Sequence, residues 1–279
     1  MLLGVGPRSF VAGELALIFD RWLGGRQVCS CGHLLQDCPV WSAVMERFRS
    51  RIPGASLVEA RGLTDRLERL VSGGALGSIN RRARERYGQI WAEMLASISE
   101  VTGSLTIVDT SKSAHPRARR PFMLASETGT DVRVVVLMRD PRAVMWSVAA
   151  AGSRKGGAKL LAVERTLASW IATYAYASRL RRGGQIRTTT VRYEELTLEP
   201  RAVLERAGRE LDLDFSAAVA AAEQRCNIAS EHAFAGNAIR RDPVTVLRPA
   251  SSDGMTRLHR HRGALARAAA LVARRYGYR

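Results

Sequence analysis

The spacing of hydrophobic positions changes period along the chain. Phe10–Leu23 carries apolar residues at helical spacing. Asp37-Cys38-Pro39 reads as a helix start, a capping acid with proline in the first turn, leading into Trp41–Arg51. Leu63–Val71 and Arg84–Val101 keep the helical period. The pattern then shortens: Ser104–Asp109 predicts a buried strand ending in polar residues, and Arg117–Ser126 returns to helix. Asp131–Met138, with three consecutive valines, is the clearest strand. Pro141 opens a helix to about Ala151, Val163–Arg182 is a long one, and Ile186–Val191 is a third strand, followed by a turn and a helix through Leu198–Leu211. Short β-branched strands separated by helices of roughly ten residues or more predict an α/β fold, a parallel sheet flanked by helices on both faces. Ligands bind such sheets at the carboxyl ends of the strands, so the residues after each strand are the first candidates for chemistry.

Composition narrows the class. The 279 residues are 46% hydrophobic and 25% charged, which excludes disordered and fibrous chains. No repeat, low-complexity linker or shift of composition divides them, so residues 1–279 are expected to form a single domain. No apolar run reaches the roughly 18–20 residues that cross a bilayer, and the first residues lack the basic and apolar regions of a signal peptide. The net charge is +17, and of 43 basic residues only Lys112, Lys155 and Lys159 are lysine. A field of that sign favours anionic partners. Aromatics are only 6% and no nucleic-acid-binding signature is present, so no nucleic-acid partner is expected. The arginine-rich end from Met255 to Tyr278, with apolar spacing through Leu258, Leu265, Ala269 and Val272, reads as a terminal helix with a solvated face.

Each predicted strand is followed by a chemical candidate. After the first comes Asp109-Thr110-Ser111-Lys112-Ser113, where Lys112 can set a compact positive charge on a leaving oxygen or simply pair with Asp109. After the second comes Arg139-Asp140-Pro141-Arg142, with Ser147 about one and a half helical turns beyond the proline. An arginine fork plus a hydroxyl makes a phosphate clamp, although an arginine beside Asp-Pro also caps carboxylates. The third strand runs into Val191-Arg192-Tyr193-Glu194-Glu195-Leu196, where Tyr193 can stack on a base or pack.

These three stretches, in order and spacing, resemble the bacterial branch of the sulfotransferases that use 3′-phosphoadenosine 5′-phosphosulfate (PAPS). Gly13-Glu14-Leu15, Cys29-Ser30-Cys31-Gly32, Asp37-Cys38-Pro39-Val40-Trp41 and the late His232-x-x-x-Gly236-Asn237-x-x-Arg240 segment extend the resemblance from about Leu2 to Tyr278. It implies a P-loop NTPase-like α/β fold and in-line transfer of a sulfuryl group from PAPS to a hydroxyl or amine of a small-molecule, sugar or lipid acceptor, with no metal. By the same resemblance Arg139 and Ser147 hold the 3′-phosphate and Tyr193 lies near the adenine. Gly236, Asn237 and Arg240 close over the nucleotide, Lys112 steadies the leaving phosphate, and Glu14 is the base that follows the first helix. A cytoplasmic location fits such an enzyme; a homodimer is left open, and acceptor contacts are expected from Arg51–Arg84 and Ser153–Arg165, the mobile loop at Ser153–Ala158 among them.

One departure from that family is expected to matter. Its 5′-phosphosulfate loop, a strand and a Gly/Ser/Thr-rich turn opening a helix, lies roughly one helix length before the Gly-Glu pair. Here only Pro7-Arg8-Ser9 is available, so the chain is expected to lack its first strand and that loop, with Leu2-Leu3-Gly4 ending the first helix. The competing reading makes Leu2–Val5 a stunted first strand and Gly6-Pro7-Arg8-Ser9 a degenerate loop. A crippled, non-catalytic nucleotide-binding protein is therefore the alternative to an enzyme; a kinase lacks its Gly-x-x-x-x-Gly-Lys motif. Finally, Cys29, Cys31 and Cys38, with His33 between them, offer soft metal ligands, a disulfide or plain buried thiols; the last is preferred, because the spacing is not a usual zinc pattern.

Overall fold

A computed structural model describes residues 2–52, 54, 56–69, 80–111, 119–153, 160–236 and 263–278. Four strands, β1 (Ser9–Gly13), β2 (Thr106–Asp109), β3 (Arg133–Met138) and β4 (Arg187–Arg192), alternate with helices, as an α/β chain should. β1 pairs with β2 in parallel, Ser9 opposite Thr106 and Val11 opposite Val108. β3 pairs with β4 in parallel from Arg133–Arg187 through Met138–Arg192. Among the described residues these are two separate two-stranded sheets rather than the one continuous sheet expected, because no strand of one pair exchanges ladder hydrogen bonds with a strand of the other. The turn at Leu2–Gly4 touches β1 and β2, while Leu2 and Leu3 pack against the core on the β3–β4 side.

The helices are α1 (Ile18–Gly24), α2 (Pro39–Arg51), α3 (Leu57–Glu68), α4 (Arg81–Thr102), α5 (Arg120–Thr128), α6 (Pro141–Ser153), α7 (Leu160–Gly183), α8 (Tyr193–Leu198), α9 (Pro200–Leu211), α10 (Ser216–Glu223) and α11 (Gly263–Arg275). Most begin where local chemistry requires. The Ser56 hydroxyl accepts from the amides of Val58 and Glu59, Asn80 from Arg82, and prolines open α2 and α9. α2 is entered at Cys38 with no side-chain cap, so Asp37 does not play the part its position suggested.

Two expectations at the N-terminus fail. Phe10–Leu23 is not one helix: the chain runs as strand to Gly13, makes a 3-10 turn at Leu15–Leu17, and only then enters α1. The ladder to β2 outweighs a helical period that an apolar segment this short cannot distinguish from a buried strand. Nor is Leu2–Val5 a strand, since Leu2–Gly4 is a 3-10 turn. Gly13, at φ +88°, lies so close to Phe234 that a Cβ would stand 2.0 Å from the Phe234 carbonyl oxygen, and glycine is required there.

The largest core gathers Phe19, Trp41, Phe48, Trp91 and Phe234, all essentially inaccessible to solvent. Trp41 meets Phe234 edge to face at 4.8 Å and Phe19 meets Trp91 at 5.5 Å. Smaller cores form under β4, α9 and α10 around Leu204 and Val219, and between α6, α7 and α11 around Met145 and Ala269. α11 is a helix within the expected terminal segment, of which residues 255–262 lie outside the described ones: Ala266, Ala269 and Ala273 are buried while Arg267, Arg274 and Arg275 face solvent. No described helix is long and apolar enough to cross a membrane.

Candidate functional site at the strand ends

β1 and β2 finish side by side, and their ends are laced together. The Asp109 carboxylate accepts from the amides of Leu15 (3.2 Å) and Ser111 (2.7 Å), the Ser111 hydroxyl accepts from the Ala16 amide (2.8 Å), and the Thr110 amide donates to the Gly13 carbonyl (2.8 Å). These bonds fix the turn that carries Glu14. The Glu14 amide donates to the Phe234 carbonyl at 3.1 Å, and the Phe234 amide donates back to Ala12 at 3.3 Å. The segment 232–236 is thereby drawn to the end of β1. Gly236, at φ +89°, brings the position its Cβ would take to 3.8 Å from the Glu14 Oε1. Glu14 is half-buried and directly follows the end of β1. The structure thus unites Glu14 with Gly236, residues more than two hundred positions apart.

Beneath this corner lies a charge network with no motif to announce it. The Arg120 guanidinium donates to Asp109 Oδ2 at 2.7 Å and pairs with Glu68, while the Tyr87 hydroxyl donates to Glu68 at 2.9 Å and Trp91 stacks 4.1 Å under the guanidinium. Arg120 and Glu68 are almost wholly buried. Burial would lower the arginine's affinity for its proton, but the two carboxylates overcompensate and raise it; burial and Glu68 push the Tyr87 phenol well up. Asp109 is therefore partnered by Arg120. Lys112, offered as its alternative partner, lies outside the described residues, as do Asn237, Arg240 and Lys155–Lys159.

At the end of the other pair, Arg139 follows β3 and Tyr193 follows β4. The Arg139 guanidinium lies 5.1 Å from the centre of the Tyr193 ring. Asp140 does not engage it: that carboxylate is held by Arg142 at 2.6 Å and receives the Arg142 amide. The Arg139 Nε is buried with no hydrogen-bond partner; Glu194 Oε2 is likewise buried without one, while Glu194 Oε1 accepts from the Asp140 amide at 3.0 Å. The carboxylate-capping role foreseen for an arginine here belongs to Arg142. Ser147 sits on α6, exposed, and makes no hydrogen bond among the described residues, so the structure does not join it to Arg139. The backbone is braced from α7, where Trp170 Nε1 donates to the Arg139 carbonyl at 2.9 Å and the Tyr174 hydroxyl to Leu137 at 2.8 Å; burial pushes that phenol up to about 12.

A third cluster is formed by Cys29, Cys31, Cys38 and His232, whose donor atoms all lie within 4.8 Å of one another. All four cysteines of the chain are free thiols. Burial pushes the Cys29 thiol up to about 12 and raises that of Cys38. Burial also acts upward on Cys31, but hydrogen bonds from His33 and the neighbouring thiols outweigh it and bring it down to about 6. His33, the histidine inside the cysteine motif, is not in the cluster; His232, from the far end of the chain, is. The sequence carried His232 as the start of the late motif without connecting it to the thiols.

An α/β chain with parallel strand pairs and basic and aromatic side chains at their carboxyl ends is the class these observations define. Residues 114–217 match the family model described as "Sulfotransferase family". That match, over 104 of the 279 residues, agrees with the resemblance in that part of the chain. Among solved structures, the sulfotransferase domain of the Synechococcus PCC 7002 olefin synthase is similar at 17% identity, over 94% of this chain and 93% of that one, with a TM-score of 0.36. No curated protein matches.

Proposed function

We propose that this chain is a PAPS-dependent sulfotransferase that transfers a sulfuryl group to a hydroxyl or amine of a small acceptor. The observation that carries the reading is Arg139: a guanidinium at a strand's carboxyl end, over a tyrosine ring, with a buried Nε lacking any partner. A buried charged donor left without an acceptor is costly. A phosphate oxygen would satisfy it, and Tyr193 offers a face to an adenine, so the residues fit a 3′-phosphorylated adenine nucleotide. Ser147, Asn237 and Arg240 complete that nucleotide site by resemblance. PAPS supplies an activated sulfuryl group whose transfer is favoured by position and charge more than by covalent help from the protein. On the chain's side, Glu14 accepts the acceptor hydroxyl's proton, Lys112 neutralises the departing oxygen, and Gly236 lets backbone approach Glu14 without a side chain between them. Reduced thiols at Cys29, Cys31 and Cys38 suit a cytoplasmic enzyme.

Isothermal titration with adenosine 3′,5′-bisphosphate, with adenosine 5′-phosphate as control, tests the nucleotide site. The bisphosphate is expected to bind, the monophosphate much more weakly. Arg139→Ala should lose about ten- to a hundredfold in affinity, the worth of one hydrogen bond to a charged group. Equal affinity of wild type and variant, or equal binding of the two nucleotides, would overturn the site. Labelled sulfate transfer from PAPS to a panel of sugars, phenols and lipids tests the reaction; nucleotide binding without transfer to any of them would favour the non-catalytic alternative.

A further inference from the structure

We propose that Cys29, Cys31, Cys38 and His232 bind a structural zinc ion through three thiolates and the Nδ1 of the imidazole. The four donors come from two segments nearly two hundred residues apart, which no local turn brings together. Their geometry matches what zinc needs. With Zn–S near 2.3 Å and Zn–N near 2.0–2.1 Å, a tetrahedron has S–S edges of about 3.8 Å and S–N edges of about 3.6 Å. Here Cys31 Sγ and Cys38 Sγ are 3.7 Å apart and Cys38 Sγ and His232 Nδ1 are 3.4 Å apart, with every other pair inside 4.8 Å. Three sulfurs and one imidazole are the soft donor set that selects zinc over magnesium or calcium. Four protein ligands close the coordination sphere, which marks a structural site rather than a catalytic one.

On binding, each thiol gives its proton to solvent and the imidazole stays neutral; nothing is oxidised or reduced.

The ion would clip the loop 29–38 to the segment 232–236. Besides the packing of Phe234 on Trp41, that segment is held by single hydrogen bonds: Trp41 Nε1 to the His232 carbonyl (2.6 Å), the Ser30 amide to the Ala233 carbonyl (3.0 Å), and those of the Phe234 backbone with Ala12 and Glu14. Since Gly236 ends this segment beside Glu14, the metal would set the position of the strand-end corner without touching it.

The full chain, purified from zinc-supplemented medium, should carry one zinc by inductively coupled plasma mass spectrometry. Cobalt exchanged into the wild-type protein should show sulfur-to-cobalt charge transfer and the intense visible bands of a tetrahedral site. Cys38→Ser and His232→Ala should lose the metal; Cys226→Ser, at an exposed thiol outside the group of four, and His33→Ala should keep it. Chelation should lower the melting temperature of wild type and leave Cys38→Ser unmoved. The proposal is overturned if the wild-type chain holds no zinc and gives no tetrahedral cobalt spectrum, whatever the variants do. It is equally overturned if Cys31 and Cys38 are found joined in a disulfide, or if His33→Ala loses the ion while His232→Ala retains it.

Discussion

Replacing Arg120 by methionine tests whether the buried charge network holds the strand-end corner. The guanidinium side chain is 2% exposed and bridges Glu68, fully buried, and Asp109, 22% exposed. Methionine fills much of the same volume and can still lie against Trp91, so packing loss is small. The dominant loss is electrostatic. Removing one partner from a buried ion pair costs about 3–5 kcal/mol, because the remaining charge is left uncompensated. Asp109 keeps the amides of Leu15 and Ser111 and some contact with water, and Glu68 keeps the Tyr87 hydroxyl, so the larger share falls on Glu68 because it is the more deeply buried. Two further variants separate the causes. Glu68→Gln added to Arg120→Met removes the buried carboxylate charge and should recover more than half of the lost stability. Lowering the pH should also help the single variant. A carboxyl buried without its cation has a folded pKa raised above the unfolded value of about 4.3, so its penalty is absent below that value and grows as pH rises. Urea unfolding followed by tryptophan fluorescence at pH 7 and pH 5 gives these quantities. An Arg120→Met variant within about 1 kcal/mol of wild type would refute the reasoning, on the scale of an exposed pair, as would a double variant no more stable than the single one.

Three other outcomes follow from two close approaches and one local hydrogen bond. Gly88→Ala in α4 should destabilise by about 1–3 kcal/mol: a Cβ would stand 2.2 Å from the Glu127 carbonyl oxygen, and overpacking outweighs the ~1 kcal/mol helix-propensity gain; a rise in denaturation midpoint would contradict this. Gly13→Ala should cost more, because both its φ and the Phe234 backbone oppose a side chain; hydrogen exchange at the Phe234 and Glu14 amides should rise together with the loss of stability. Asp214, exposed, accepts the Ser216 amide at 2.8 Å, and that bond holds its carboxyl below the ordinary value. Its contribution is present above the unfolded pKa of about 3.9 and fades as pH falls through the folded one, so the melting-temperature gap between wild type and Asp214→Ala should shrink from pH 7 to pH 3; a constant gap would count against the bond to Ser216.

The amino-acid sequence by itself determined the elements whose signals are local. Arg133–Met138 is a strand because β-branched residues fill it, Pro141 and Pro200 sit in first helical turns, and Ala266, Ala269 and Ala273 give α11 its buried stripe. The order of strand-end candidates, Asp109, Arg139 and Tyr193, was legible for the same reason: a strand's end is marked by where its apolar run stops. What only the tertiary structure decided depends on partners distant in the chain. Phe10–Gly13 is a strand because β2 lies beside it, and its apolar residues alone fit either period. Arg120 and Glu68 carry no pattern until a fold buries them against Asp109 and makes their charges indispensable to each other. His33 stands five residues from Cys38 and His232 stands 194 away, yet it is His232 whose ring meets the thiol, because the backbone of Phe234 is hydrogen-bonded to β1 and carries the histidine with it.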